Sequence, residues 1–133
     1  NIIMTGGNND CMDKAFRMIC NRGDTIMIEE YTFPPAMQNM RPTGAKCIPI
    51  KMNLTFDRDQ FGFDPEYMDD ILDNWDTGPY GDLPKPHVLY TIPTGQNPTG
   101  MTLPQWRREQ IYQLAQRHDF IILEDDPYYY LYF

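Results

Sequence analysis

The sequence predicts an α/β fold, a mostly parallel and helix-covered sheet in one domain. Three observations carry this. Helical and strand-like segments alternate four times along the chain, the spacing at which crossover helices join parallel strands. Apolar residues in the helical segments recur at i, i+3, i+4 and i+7. The 133 residues, with 41% apolar and 14% aromatic side chains, are globular in composition and suffice for one ordinary domain.

Asn8 to Cys20 reads as the first helix, with Met12, Ala15, Phe16 and Ile19 on one face. Asn8, Asn9 and Asp10 suit its start and Gly23 its stop. Thr25 to Ile28 is a short strand of the buried type. Pro34 to Asn39 begins a second helix, which must end before Pro42. Ala45 to Ile50 is the second strand. Asn53 to Phe63 is polar and reads as a loop.

Asp64-Pro65 has the form of an N-cap followed by proline at the first helical position. Tyr67, Met68, Ile71, Leu72 and Trp75 then form an apolar stripe. Asp76 to Pro86 holds three prolines and two glycines and reads as an irregular connection. Val88 to Ile92 is the third strand. Thr102-Leu103-Pro104-Gln105 has the spacing of a capping box. The helix after it is expected to bury Leu103, Trp106, Ile111, Leu114 and Ala115. Phe120 to Leu123 is the fourth strand.

Charge narrows the classes of partner. Asp and Glu number 19 against 11 Lys and Arg, a formal net charge of −8. That argues against nucleic acid or an anionic membrane as the main partner. It leaves room for one anion held locally by backbone amides. No apolar run approaches the roughly 20 residues of a membrane span, and no signal peptide is visible. Cys11, Cys20 and Cys47 form no CxxC pair and read as free thiols in a reducing compartment, which points to the cytoplasm. His87 and His118 match no metal-ligand spacing. The chain starts at Asn1 inside an apolar run and ends on an aromatic cluster from Tyr128 to Phe133. Such ends are expected of an internal piece of a longer protein.

In open α/β sheets, ligands sit beyond the carboxyl ends of the strands. Phe33 follows the first strand, the turn from Pro93 to Gly100 follows the third, and Glu124-Asp125-Asp126-Pro127 follows the fourth. Thr5-Gly6-Gly7-Asn8-Asn9 lies at a helix start, where free amides and the helix dipole favour an anion. One rim would thus offer an anion cradle, an aromatic plate, an amide and a carboxylate. That set suits a flat, phosphorylated, cationic heteroaromatic ligand.

TGQNPTG, followed by a helix and then FIILEDDPYYYLYF, resembles the fold-type I pyridoxal-phosphate aminotransferases of class I/II. TGGNND and IMIEEYTFPPAM match the same family in the same order, so the likeness covers essentially the whole chain. The stretch from Thr43 to Trp106 is most similar to the fungal aromatic aminotransferases, relatives of 2-aminoadipate and kynurenine aminotransferases. The resemblance implies part of the large cofactor-binding domain of the aspartate aminotransferase fold, with helices on both faces of the sheet, in residues 1–133. It implies a homodimer, pyridoxal 5'-phosphate as cofactor, and amino acids and 2-oxo acids such as 2-oxoglutarate as substrates.

The same resemblance assigns roles. Asp126 would pair with the ring nitrogen of the cofactor and Asn97 with its ring oxygen, close to the substrate carboxylate. Tyr129, flanked by Tyr128 and Tyr130, would reach the same oxygen. Phe33 would stack on the ring, with Tyr31 as the runner-up. Gly7, Asn8 and Asn9 would cradle the phosphate, although the family commonly has serine in this segment. Asp126 and Tyr129 are thereby the catalytic candidates. The family's cofactor-bearing lysine and substrate-binding arginine lie downstream of the acidic segment. Lys14, Lys46, Lys51 and Lys85 match no such motif, so the chain alone is expected to be inactive. A cofactor-binding regulatory domain of a transcription factor, or a lyase of the same fold, shares these motifs. A nucleotide-binding domain would need a glycine-rich phosphate motif that does not occur.

Overall fold

A computed structural model describes residues 2–55 and 57–131. The start at Asn1 and the aromatic end at Tyr132 and Phe133 lie outside them, as does Phe56.

Four strands form one parallel sheet: β1 (Thr25–Glu29), β2 (Lys46–Ile50), β5 (Val88–Thr91) and β6 (Ile121–Glu124), in the order β2-β1-β5-β6. β1 is the axis of the sheet. Its Ile26 stands opposite Cys47 of β2 on one side and Val88 of β5 on the other. β6 pairs with β5 through Tyr90 opposite Leu123 and Thr91 opposite Glu124. The chain runs outward from β1 to β2 and then returns past β1 to β5. The order therefore reverses between β1 and β5, and a sheet of this kind opens its ligand crevice at that reversal.

The period of two along each strand sorts the core into two layers. Ile26 and Ile28 of β1 and Val88 and Tyr90 of β5 pack with Met12 and Phe16 of α1 (Asn8–Ile19) and with Ala36 and Met40 of α2 (Pro34–Met40). Met27 and Leu89, one residue out of phase, pack with Met68 and Leu72 of α3 (Pro65–Asp73) and with Ile111 and Ala115 of α4 (Gln105–His118). Helices therefore cover both faces, as expected.

Asp64 caps α3 as the sequence predicts, with its Oδ1 accepting from the Tyr67 amide at 3.0 Å and Pro65 at the first helical position. Three local expectations are corrected. The segment 53–63 is not only loop. Met52–Asn53 (β3) and Gly62–Phe63 (β4) form a short antiparallel ribbon, and Phe61 and Phe63 are buried. The capping box does not form. Pro104 is the N-cap with no side-chain bond, because Thr102 Oγ1 accepts from the Gly95 amide and Gln105 donates to Glu109. Leu103, Ile111 and Ala115 are buried and Leu114 packs against them as expected, but Trp106 is exposed and donates to the Asp59 carbonyl, while Arg107 takes a buried place on α4. Arg107 is buried because its fork meets the carbonyls of Phe63 and Gln60 while its stem packs.

Candidate functional site

The start of α1 lies at the rim of the sheet. Gly7, at φ 136° and with nothing within 4 Å of where a Cβ would stand, precedes it. That conformation is one L side chains rarely adopt. The first helical bond runs from the Cys11 amide to the Gly7 carbonyl, so the amides of Asn8, Asn9 and Asp10 have no partner inside the helix. Asn8 reaches across the rim, and its Nδ2 donates to Asp125 Oδ1 at 2.7 Å. Asn9 turns toward α2, where Asn39 Nδ2 donates to its Oδ1 at 2.8 Å.

Asp125 sits just past β6, and its amide continues the ladder by donating to the Thr91 carbonyl. It is 6% exposed. Its second oxygen accepts from the Tyr90 hydroxyl at 2.8 Å. Burial, then the Asp125 charge, drives the Tyr90 hydroxyl pKa up, so Tyr90 stays a donor. Leu123 packs in the α1/α2 layer, and Asp125, two residues on, keeps that face. Phe33, at the N-cap of α2 and half-buried, packs against the same layer. Tyr31 is more exposed, at 46%.

Asp126 faces elsewhere. Its Oδ2 accepts from Thr94 Oγ1 at 3.2 Å, and Arg108 of α4 donates to the same threonine oxygen. Its Oδ1 is buried with no partner among the described residues. Tyr128 lies over Gly95, where an added Cβ would come within 3.3 Å of its ring. Tyr129 is 62% exposed and meets Tyr130 edge-on, with ring centres 5.3 Å apart.

The turn after β5 carries Asn97, half-buried, beside a fully buried Gln96. Gln96 Nε2 donates to Glu29 Oε2 at 2.7 Å and to the Tyr31 carbonyl at 2.5 Å. Glu29 ends β1, and its Oε1 accepts from Thr91 Oγ1 at 2.8 Å and the Ile92 amide at 3.0 Å. Burial pushes the Glu29 carboxyl up to about 7, against the pull of these hydrogen bonds.

The structure thus brings Gly7, Asn8 and Phe33 to the face that holds Asp125, with Asn97 on the same rim. Asp126 instead bonds Thr94 in the turn that carries Asn97, and Tyr129 is exposed beside Tyr130. Sequence reasoning assigned no role to Asp125, Tyr90, Glu29 or Gln96, which the structure joins by hydrogen bonds at this rim. The strand period was the available signal for Asp125, since residues 121, 123 and 125 share a face.

The sequence pattern of the family described as aminotransferase class I and II matches residues 1–133. The chain belongs to this family. It is 68% identical to aromatic amino acid aminotransferase 2 of Saccharomyces cerevisiae over 132 residues, which is 99% of this chain and 26% of that enzyme. It is 41% identical to the mitochondrial kynurenine/alpha-aminoadipate aminotransferase of Mus musculus, over 99% of this chain and 30% of that one. Among solved structures, an aromatic aminotransferase from Candida albicans superposes with a TM-score of 0.83 at 46% identity. That match covers 91% of this chain and 25% of the other. The kynurenine aminotransferase of Pyrococcus horikoshii, solved in complex with PMP, gives 0.79 at 32% identity over 92% and 28%. The α/β fold class is that of these family members. The chain spans about a quarter of the length of the curated relatives it matches. No helix among the described residues is long and apolar enough to cross a membrane.

Proposed function

We propose that the protein containing this chain is a pyridoxal 5'-phosphate-dependent aminotransferase. It moves the amino group of an aromatic amino acid, 2-aminoadipate or kynurenine to a 2-oxo acid such as 2-oxoglutarate. Residues 1–133 supply part of the cofactor site within the large domain. The observation that carries this is the buried Asp125 carboxylate joined to Asn8 at the start of α1. The 68% identity to an aromatic amino acid aminotransferase supports the choice of donor. The homodimer and the cytoplasmic location rest on the family resemblance, and for the latter also on three free cysteines.

The residues fit the cofactor. A helix start with three free amides and a bare Gly7 accepts a phosphate, a half-buried phenylalanine accepts a flat ring, and a buried carboxylate accepts a ring N–H. When bound, the cofactor supplies an electron-accepting ring and a carbon that receives the amino group. Asp125 keeps the ring nitrogen protonated, because a buried carboxylate beside it favours the cation. Tyr90 holds that carboxylate in place. Gly7, Asn8 and Asn9 hold the phosphate, Asn9 through its backbone amide. Phe33 covers one face of the ring. Asn97 would donate to the ring oxygen and sit near the substrate carboxylate. Tyr128, packed over the Asn97 turn, takes the role the sequence expectation gave to Tyr129.

A second reading keeps Asp126 as the ring-nitrogen partner, favoured by its buried and unpartnered Oδ1. Full-length enzyme carrying Asp125→Asn or Asp126→Asn separates the two. Loss of cofactor affinity and turnover in the first variant alone supports Asp125. Loss in the second alone transfers the role to Asp126. If wild-type full-length protein forms no keto acid from any aromatic amino acid, 2-aminoadipate or kynurenine, the transaminase reading fails.

A further inference from the structure

Glu29 ends β1, where the sheet order reverses. Its two oxygens divide their work. Oε1 accepts from Thr91 and Ile92 at the end of β5, and Oε2 accepts from Gln96. Above the value of about 7 to which burial raises it, the Glu29 carboxylate only accepts, so there it fixes which way the Gln96 amide faces. With its NH2 committed to Glu29 and to the Tyr31 carbonyl, Gln96 turns Oε1 toward Thr99. There it accepts from the amide at 3.0 Å and from the hydroxyl at 2.6 Å. The Gln96 backbone closes the same turn, its amide donating to Met101 and its carbonyl accepting from Gly100. Asn97 is held between these bonds.

We propose that Glu29 is a positioning residue that fixes the turn carrying Asn97 by setting the direction of the Gln96 amide. This rests on the role given to Asn97 above. Glu29 itself is buried, with its oxygens taken by Thr91, Ile92 and Gln96.

Glu29→Gln keeps the volume and reverses one polarity. The substituted side chain still accepts from Thr91 and Ile92, but its NH2 then faces the NH2 of Gln96. Gln96 must rotate, which withdraws its oxygen from Thr99. The double variant Glu29→Gln/Gln96→Glu restores an acceptor opposite the new amide and an acceptor for Thr99, without the bond to Tyr31. The test is amide hydrogen exchange on full-length enzyme at about pH 8, where Glu29 is ionised, read at Thr99 and Gly100 with Phe16 in α1 as control, alongside the pyridoxal phosphate dissociation constant. In Glu29→Gln, exchange at Thr99 and Gly100 should rise at least about tenfold with Phe16 unchanged, and the double variant should recover much of the protection. Unchanged exchange at Thr99, an equal rise at Phe16, or no recovery in the double variant overturns the proposal. Asn97→Ala read in parallel isolates the other assumption. If its cofactor affinity equals wild type while the exchange pattern holds, the Asn97 role fails and the anchoring by Glu29 stands.

Discussion

Asn8 Nδ2 lies 2.7 Å from Asp125 Oδ1, a bond between the first turn of the first helix and the residue after the last strand. It joins positions 117 residues apart, and it is the contact on which the proposal for Asp125 rests. The Asp125 carboxyl is buried and accepts from an amide and a phenol. It is also suited to face a cationic ring.

Asp125→Asn in the full-length enzyme should lower turnover by at least about a hundredfold, the scale of removing one preorganised electrostatic partner. Asp126→Asn should cost less than about tenfold. Steady-state kinetics with an aromatic donor measure both.

Tyr90→Phe removes a hydrogen bond to a charged, buried acceptor, worth about 2 kcal/mol. The denaturant midpoint of the full-length protein should fall accordingly. The cofactor's absorbance should also change its pH dependence, because Asp125 loses the donor that orients it. A variant matching wild type in both would contradict the role given to Tyr90.

Glu29 gives stability a pH dependence of definite sign. Its carboxyl is raised from 4.5 to about 7 by burial, so the folded state holds a proton that the unfolded chain releases. Its contribution is full below about 4.5 and is lost as pH rises through 7. At about 1.4 kcal/mol per pKa unit, the stability of wild type relative to Glu29→Gln should fall by a few kcal/mol across this window. Unfolding of both proteins at pH 4.5, 6 and 8 reads the difference, and a flat difference contradicts the buried-carboxyl account.

Phe33→Tyr should leave cofactor affinity nearly unchanged, since stacking needs only the ring. Phe33→Leu should weaken it by roughly fivefold, about 1 kcal/mol of ring stacking. Cofactor titration of the apo form of the full-length enzyme distinguishes the two.

The chain by itself should form no keto acid. Among its lysines, Lys14 pairs with Asp10, Lys51 lies 4.6 Å from the Tyr67 ring centre and Lys85 lies 3.3 Å from His118. Lys46 begins β2, at the opposite end of the strand from the rim. Incubation of the isolated chain with cofactor, donor and 2-oxoglutarate checks this, and turnover would contradict it.

Most of the architecture was legible because burial repeats with a period. The 3.6-residue stripe of α1 and the proline-marked cap of α3 stand in the sequence, and the apolar runs of the four main strands are equally plain. The β3/β4 ribbon was not legible, since two-residue strands have no period. The face of α4 was read correctly at Leu103, Ile111, Leu114 and Ala115, but Arg107 was missed because it is charged, and carbonyls 44 and 47 positions away decide its burial. The site motifs were legible as segments, but the face that each of Asp125, Asp126, Tyr128 and Tyr129 takes was not. That depends on which layer α1 joins, a long-range fact that no local pattern contains.

The most direct measurement is the absorbance of the full-length enzyme's bound cofactor on adding an aromatic amino acid, compared between wild type and Asp125→Asn. Wild type should show a spectral shift, with keto acid released on adding 2-oxoglutarate. Asp125→Asn should lose the shift or bind no cofactor. A wild type with no shift, or an Asp125→Asn variant that behaves as wild type, would contradict the role of Asp125 at the cofactor ring.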